Sequence, residues 1–141
     1  MFSFIIFIIS SNYVFASDTA SCRIGKYYFD SLDEAIKVAK DDDIITLTNN
    51  IKLDNTIKIN KIININLNNY NIEASEKVFL VENGHLNLSG NGYIKETKPE
   101  YGAIMIIGSQ NEVDTNYSSV TVDQGVILEG WSGIFINHNK N

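Results

Sequence analysis

Residues that commonly identify an active site are scarce in this chain of 141 residues, which holds one cysteine, one proline, two histidines and one arginine. The single cysteine, Cys22, excludes a disulfide framework or a cysteine-based metal site within the chain. We expect Cys22 to pack as a small buried apolar residue, with intermolecular pairing as the alternative. The scarcity leaves the architecture as the main information that this sequence carries.

Clustered positive charge is also missing. The 11 Lys and Arg residues are scattered from Arg23 to Lys140, and the formal net charge is −6. Proteins that bind nucleic acid usually present a basic patch to the phosphate backbone. We therefore predict that nucleic acid is not a partner.

The beginning of the chain differs in kind from the rest. Residues 1–9 form an apolar run that is too short to span a bilayer, and Val14-Phe15-Ala16 has the small-residue pattern of a signal-peptidase site. We interpret residues 1–16 as a signal peptide and residues 17–21 as a linker, with an apolar first strand as the alternative for the run. This predicts a secreted or cell-surface protein without a transmembrane span after removal of the signal.

A strand and a capping helix are predicted for residues 22–43. The run from Cys22 to Phe29 alternates well enough for one strand, and Ser31 with Glu34 matches the capping box that begins a helix. Apolar residues then follow helical spacing until the acidic residues 41–43 end the helix. We expect the apolar face of this helix to cover the first coil of the region that follows.

From Ile44 onward, short β-branched runs return in a fixed order of three, separated by Asn/Gly turns. Equivalent first runs begin at Ile44, Ile63, His85 and Ser118. Units this short have no room for a crossover helix, so the second and third runs of each unit must return the chain. Residues 44–141 therefore predict one all-β domain, a parallel β-helix of about four three-strand coils. The corners fall at Asn49, Asn69, Asn91, Gly92 and Gly125.

Two stretches carry a family resemblance. Residues 29–36, followed by Asp43-Ile44-Ile45-Thr46-Leu47, resemble the opening of secreted bacterial right-handed parallel β-helix proteins of the pectate-lyase-like superfamily. The run from Ile59 to Ile72 is similar to one coil of those proteins, although Asn69 stands where Gly is common. In the opening stretch, Asp42 stands where Gly is usual. The resemblance implies a right-handed β-helix with an N-terminal capping helix. It leaves the activity open.

The catalytic sets that this resemblance implies are not found. They would combine an acidic Ca²⁺ cluster on one sheet with a basic residue, or several Asp with a His and a basic pair. Arg23 lies before the predicted helix, and we interpret His85 and His138 as surface residues. We therefore predict no catalytic residue, and the question whether the protein is an enzyme stays open.

We expect no cofactor. The alternative is a Ca²⁺ ion bound by acidic residues. Residues 41–43 carry oxygen ligands, but three consecutive residues do not all point one way, so we interpret them as a solvated helix stop. Glu112 and Asp114, with Asp123 at a corner, are a second candidate cluster. Our prediction is that neither cluster holds a metal.

Three aromatic residues at predicted loops or corners are candidates for stacking on sugar rings: Tyr101, Tyr117 and Trp131. Packing over the bases of loops is the alternative. We favour a structural or adhesive module that contacts a polysaccharide or surface glycoconjugate. The alternative function is the N-terminal part of a polysaccharide lyase or hydrolase whose active coils lie beyond residue 141. Because the last predicted coil carries no covering element, we also expect end-to-end association through this coil.

Overall fold

The computed structural model describes residues 19–98, 100, 102–108 and 117–137. The predicted signal peptide lies outside these residues, as do Tyr101, His138 and the candidate ligands Glu112 and Asp114. No helix within the described ranges is long and apolar enough to cross a membrane.

A β-hairpin comes first. Strands β1 (Cys22–Ile24) and β2 (Tyr27–Phe29) pair antiparallel, and Gly25 reverses the chain between them with a φ of 56°. The prediction of one strand over this run is therefore wrong, because a glycine in the left-handed region turns the chain in the middle of it. The reversal lets β1 pair antiparallel with β3 (Ile44–Leu47), the first strand of the repeat region.

Two residues that we assigned to the linker are tied into this hairpin. Ala20 is buried, and its carbonyl accepts hydrogen bonds from Thr48 Oγ1 at 2.6 Å and from Asn49 Nδ2 at 2.8 Å. The N–H of Ser21 donates to the carbonyl of Phe29, and the carbonyl of Ser21 accepts from the N–H of Thr48. The ordered edge of the sheet therefore includes part of the predicted linker.

The predicted helix is α1 (Leu32–Val38), and its N-cap is confirmed. The N–H of Glu34 donates to Ser31 Oγ at 3.2 Å. The buried face of the helix joins the same core as the sheets and consists of Leu32, Ala35 and Ile36. At the other end, Lys61 Nζ donates to the carbonyl of Ala39 at 2.7 Å, which places a cation where a helix favours one.

Cys22 lies under this helix and is fully buried, as predicted. Its Sγ donates to the carbonyl of Ser31 at 3.8 Å. Burial, and then the nearby Glu34 carboxylate, raise the pKa of the Cys22 thiol to about 12. The thiol therefore stays protonated over the physiological range.

The described part of residues 44–137 forms four repeats of three strands. The first strands are β3, β6 (Ile62–Asn66), β9 (His85–Ser89) and β12 (Ser119–Val122). The second strands are β4 (Ile51–Leu53), β7 (Ile72–Ala74), β10 (Gly92–Glu96) and β13 (Val126–Glu129). The third strands are β5 (Ile57–Ile59), β8 (Phe79–Glu82), β11 (Gly102–Ile107) and β14 (Ser132–Asn137).

Each strand pairs in parallel with the equivalent strand of the next repeat, which gives three stacked parallel sheets. We call the sheets of first, second and third strands sheet 1, sheet 2 and sheet 3. The register keeps apolar side chains in columns, so that Ile65 lies between Ile45 and Leu88, and all three are buried. This strand-rich arrangement is compatible with the predicted β-helix.

The polar corners between sheets 1 and 2 fall where the Asn/Gly turns predict. Left-handed backbone occurs there at Asn69, Gly92 and Gly125, with φ values of 68°, 144° and 96°. Asn49 and Asn91 are not among the residues with positive φ, and they contribute side-chain hydrogen bonds instead. Asn91 Nδ2 donates to Asn69 Oδ1 at 3.4 Å, which links corners of adjacent repeats.

The fourth repeat exposes the apolar layer that the other repeats bury. Ile104 in β11 is 0% exposed, whereas its register partner Ile134 in β14 is 36% exposed. Ile106 and its partner Ile136 show the same contrast, at 9% and 66%. Within the described residues no further strand covers this layer.

Candidate functional site

The outer face of sheet 1 presents polar side chains in rows that cross the repeats. Side chains alternate between the two faces of a strand, so every second residue points outward. The central row contains Ile44, Asn64, Asn87 and Thr121. The flanking rows contain Thr46, Asn66 and Ser89 on one side, and Ile62, His85 and Ser119 on the other.

An amide ladder organises the central row. Asn87 Nδ2 donates to Asn64 Oδ1 at 2.9 Å. Asn64 Nδ2 donates to the carbonyls of Asp41 at 2.7 Å and Asp43 at 3.1 Å, so both of its hydrogens are used. Asn64 therefore holds the acidic turn between α1 and β3 against the sheet. Asn87 Oδ1 accepts no hydrogen bond from the described residues and stays open to a ligand.

A shallow, open depression of about 360 Å³ lies on this face. It is lined by Asp41, Asp42, Ile44, Asn64, Asn87, Leu88, Ser89 and Asp123. Asp41 and Asp42 belong to the turn before β3, and Asp123 follows β12. Since β3 and β12 are three strand positions apart in sheet 1, the depression extends across about 14 Å of the sheet.

The carboxylates of the depression are not neutralised by neighbouring cations. No Lys, Arg or His lines it. The ion pairs of the described residues involve neither Asp41, Asp42 nor Asp123. Between the carboxylates, the half-buried amides of Asn64 and Asn87 form a polar floor, and Ile44, 53% exposed, supplies an apolar surface. The depression can therefore accept several hydrogen bonds from a polar ligand while contacting an apolar part of it.

Sheet 2 offers a contrast, because its outward charges are matched with one another. Register places Lys52, Glu73, Lys95 and Glu129 in one row of alternating sign. Lys95 Nζ lies 3.0 Å from Glu129 Oε2, and the hydrogen bond and charge of Glu129 raise the pKa of Lys95. Glu73 also accepts from Tyr93 Oη at 2.7 Å, which raises the pKa of Tyr93. This face leaves little charge for a ligand.

Tyr117, one of the three predicted aromatic residues, stands at the margin of the sheet 1 face. It lies just before β12, is 62% exposed, and meets the ring of His85 edge-on with centroids 5.1 Å apart. His85 Nδ1 is 2.7 Å from Ser119 Oγ, so the histidine that we interpret as a surface residue is half-buried in a polar contact. The arrangement fixes His85 and leaves Tyr117 accessible.

Trp131 is not brought to this face. It is 68% exposed and lies between β13 and β14, at the corner between sheets 2 and 3. Tyr101 lies outside the described residues. The two described aromatic candidates therefore do not form one patch; Tyr117 lies against His85 at the margin of the sheet 1 face, and neither it nor His85 lines the depression.

The acidic turn agrees with its interpretation as a solvated helix stop. Asp43 Oδ2 accepts from the N–H of Lys40 at 2.9 Å, and Asp41 and Asp42 are exposed. In the part of the chain that the structure describes, no group of three or more His, Cys, Asp or Glu side chains is arranged to hold a metal ion.

Asn64, Asn87 and Ser89 are not among the site residues predicted from the sequence. A signal was present, since these residues occupy outward positions in successive first-strand runs, but an asparagine ladder is also a common structural device. The acidic turn and Asp123 become neighbours of the ladder only through the register of the sheets. Comparison of this chain with protein-family models, with curated proteins and with solved structures finds no match in any of the three.

Proposed function

We propose that this chain is a secreted or cell-surface module of structural or adhesive type that binds a polysaccharide on the outer face of sheet 1. The observation that carries the proposal is the depression of about 360 Å³ with carboxylates at both ends and amides between them. The predicted signal peptide at residues 1–16 supports the secreted setting.

We further propose that the fold is a right-handed parallel β-helix. In each repeat the chain leaves sheet 1, passes through sheets 2 and 3, and returns to pair in parallel with the strand it left. Crossover connections between parallel strands of one sheet are right-handed in about 98% of cases. The same handedness is implied by the resemblance to the pectate-lyase-like superfamily.

The chemistry of the face suits a sugar. A pyranose ring carries hydroxyls that donate and accept hydrogen bonds around its edge, and C–H groups on its faces. Asp42, Asp123 and Asn87 supply acceptors for hydroxyls, and exposed Ile44 supplies a surface for C–H groups. Tyr117, against His85 at the margin of the same sheet face, offers a second such surface outside the depression. The amides of the floor lie on two paired strands, β6 and β9, so this part of the depression loses little conformational freedom on binding.

Binding of the full chain to a panel of soluble polysaccharides, followed by NMR, tests the proposal. We expect at least one polysaccharide to bind and to shift the side-chain amide signal of Asn87. The outward side chain of Lys95, on sheet 2, should not respond. The proposal fails if no polysaccharide binds, or if the shifts fall on sheet 2. Degradation of polygalacturonate by the purified chain would instead favour the enzyme alternative.

Two aromatic variants give a matched comparison. Tyr117→Ala removes a ring at the margin of the sheet 1 face and should weaken binding about three- to tenfold, the range expected for one aromatic contact. Trp131→Ala removes a ring of similar exposure at a different corner and should leave the affinity unchanged. The reverse result would move the binding surface to the corner between sheets 2 and 3.

A further inference from the structure

The charge of the residues that line the depression indicates which charge a ligand should carry. Asp41 and Asp42 stand at one end and Asp123 at the other, so a ligand that lies across the row of Asn64 and Asn87 meets carboxylates at both ends. All three aspartates are exposed, and no residue that lines the depression is basic. A ligand that fills it therefore enters a region of negative potential.

The lysines near the acidic turn lie outside the lining of the depression. Lys61, one residue before β6, directs its Nζ to the carbonyls of Ala39 and Lys37 at the end of α1. Lys40 precedes Asp41 in the chain and does not line the depression. None of the ion pairs among the described residues involves Asp41, Asp42 or Asp123, so these carboxylates are available to a cationic ligand.

We propose that the depression selects glycans bearing free, protonated amino groups and disfavours uronic acids. The inference rests on the proposed function and names the class of polysaccharide that the face takes. Ammonium groups on a deacetylated amino-sugar chain donate to carboxylates in charge-assisted hydrogen bonds. A uronate carboxylate placed beside Asp42 or Asp123 is repelled, and such like-charge contacts exclude a wrong partner as effectively as good contacts select the right one.

The size of the preference follows from the exposure of the aspartates. Each exposed ion pair changes an affinity by about two- to fivefold, because solvent screens the charges. Two or three such contacts give a preference of about tenfold for an amine-bearing oligosaccharide over its N-acetylated counterpart of equal length. The preference should shrink as salt concentration rises, since exposed charges are screened.

The test is calorimetric titration of the full chain with three oligosaccharides of equal length: glucosamine, N-acetylglucosamine and galacturonic acid oligomers. We expect the glucosamine oligomer to bind most tightly and the galacturonate oligomer least. Asp42→Asn/Asp123→Asn leaves Asp41 as the single carboxylate of the lining and should reduce the preference to at most about two- to fivefold. Asp54→Asn/Glu76→Gln changes the net charge equally at exposed residues outside the depression and should preserve it.

Each contrary result has a distinct meaning. Equal affinity for the three oligomers, tighter binding of galacturonate, or a preference that is undiminished in Asp42→Asn/Asp123→Asn overturns the inference and leaves glycan binding in place. Failure of all three oligomers and of the wider polysaccharide panel removes the proposed function itself. A lysine oligomer is the remaining control, and binding as tight as that of the glucosamine oligomer would overturn selection of a glycan.

Discussion

Asn87 donates through Nδ2 to Oδ1 of Asn64 at 2.9 Å, across the outer face of sheet 1. Asn64 passes the connection on to the carbonyls of Asp41 and Asp43. One pair of amides thus joins two repeats to the turn that follows α1. The same pair forms part of the floor of the depression, so the stability of this turn and the shape of the candidate site depend on the same side chains.

We predict that Asn64→Ala lowers the free energy of unfolding by about 1–2 kcal/mol, because two carbonyls and the Asn87 amide lose their partner. Urea denaturation measures the change. Thr121→Ala is the control, since Thr121 lies in the same row but is exposed, and its cost should stay within about 0.5 kcal/mol. Equal costs for the two variants would show that the ladder contributes nothing specific.

Substitution of glycine by alanine should lower the stability of the fold by different amounts at Gly92 and at Gly25. A Cβ at Gly92 would lie 2.1 Å from the carbonyl oxygen of Tyr70, so Gly92→Ala must displace the backbone of a corner. We expect a loss of about 3 kcal/mol or more in thermal or chemical unfolding. At Gly25 no atom lies within 4 Å of the added Cβ, so Gly25→Ala carries only the strain of a positive φ, about 1 kcal/mol. A smaller loss at Gly92 than at Gly25 would contradict the close packing of this corner.

The repeat could be predicted from the sequence because it depends on patterns among residues that are close together in the chain. Apolar residues alternate with polar ones in each first strand, so Ile63 and Ile65 had to point inward once Asn64 and Asn66 pointed outward. The corners carry Asn or Gly, the residues that tolerate left-handed backbone, and Asn69 uses that tolerance.

The hairpin and the depression could not be read in this way. Apolar and polar residues alternate on both sides of Gly25, and alternation alone does not distinguish one strand from two that reverse at a glycine. The depression joins Asp42 to Asp123, which are distant in sequence and meet only because three successive strand pairings carry the sheet from β3 to β12. That meeting depends on the register between repeats.

Because the fourth repeat exposes its apolar layer, the same Ile→Ala substitution should lower the free energy of unfolding by different amounts in the third and fourth repeats. Ile104→Ala removes a fully buried side chain and should cost about 2–5 kcal/mol, because a cavity remains. Ile134→Ala, at the register partner, should cost about 1 kcal/mol at low protein concentration. If copies associate through this layer, the cost of Ile134→Ala rises with concentration, because binding stabilises the folded state. Unfolding at two concentrations measures both effects, and a cost at Ile134 that equals that at Ile104 in dilute solution would contradict its exposure.

The buried thiol of Cys22 predicts a stability that depends on pH. Its pKa is raised to about 12, from an ordinary value of 9.0, so between these pH values the unfolded chain loses the thiol proton while the folded chain keeps it. The stabilising contribution is thus fully present below pH 9 and is lost as the pH rises toward 12. Other groups titrate in this range, so the measurement is the difference between the parent chain and Cys22→Ala in urea unfolding at several pH values. The free energy of unfolding of the parent should fall more steeply with pH, by up to about 1.4 kcal/mol per unit.

Thiol reagents should label folded Cys22 only at the rate at which the fold opens, and rapid labelling of the native chain at pH 8 would refute its burial.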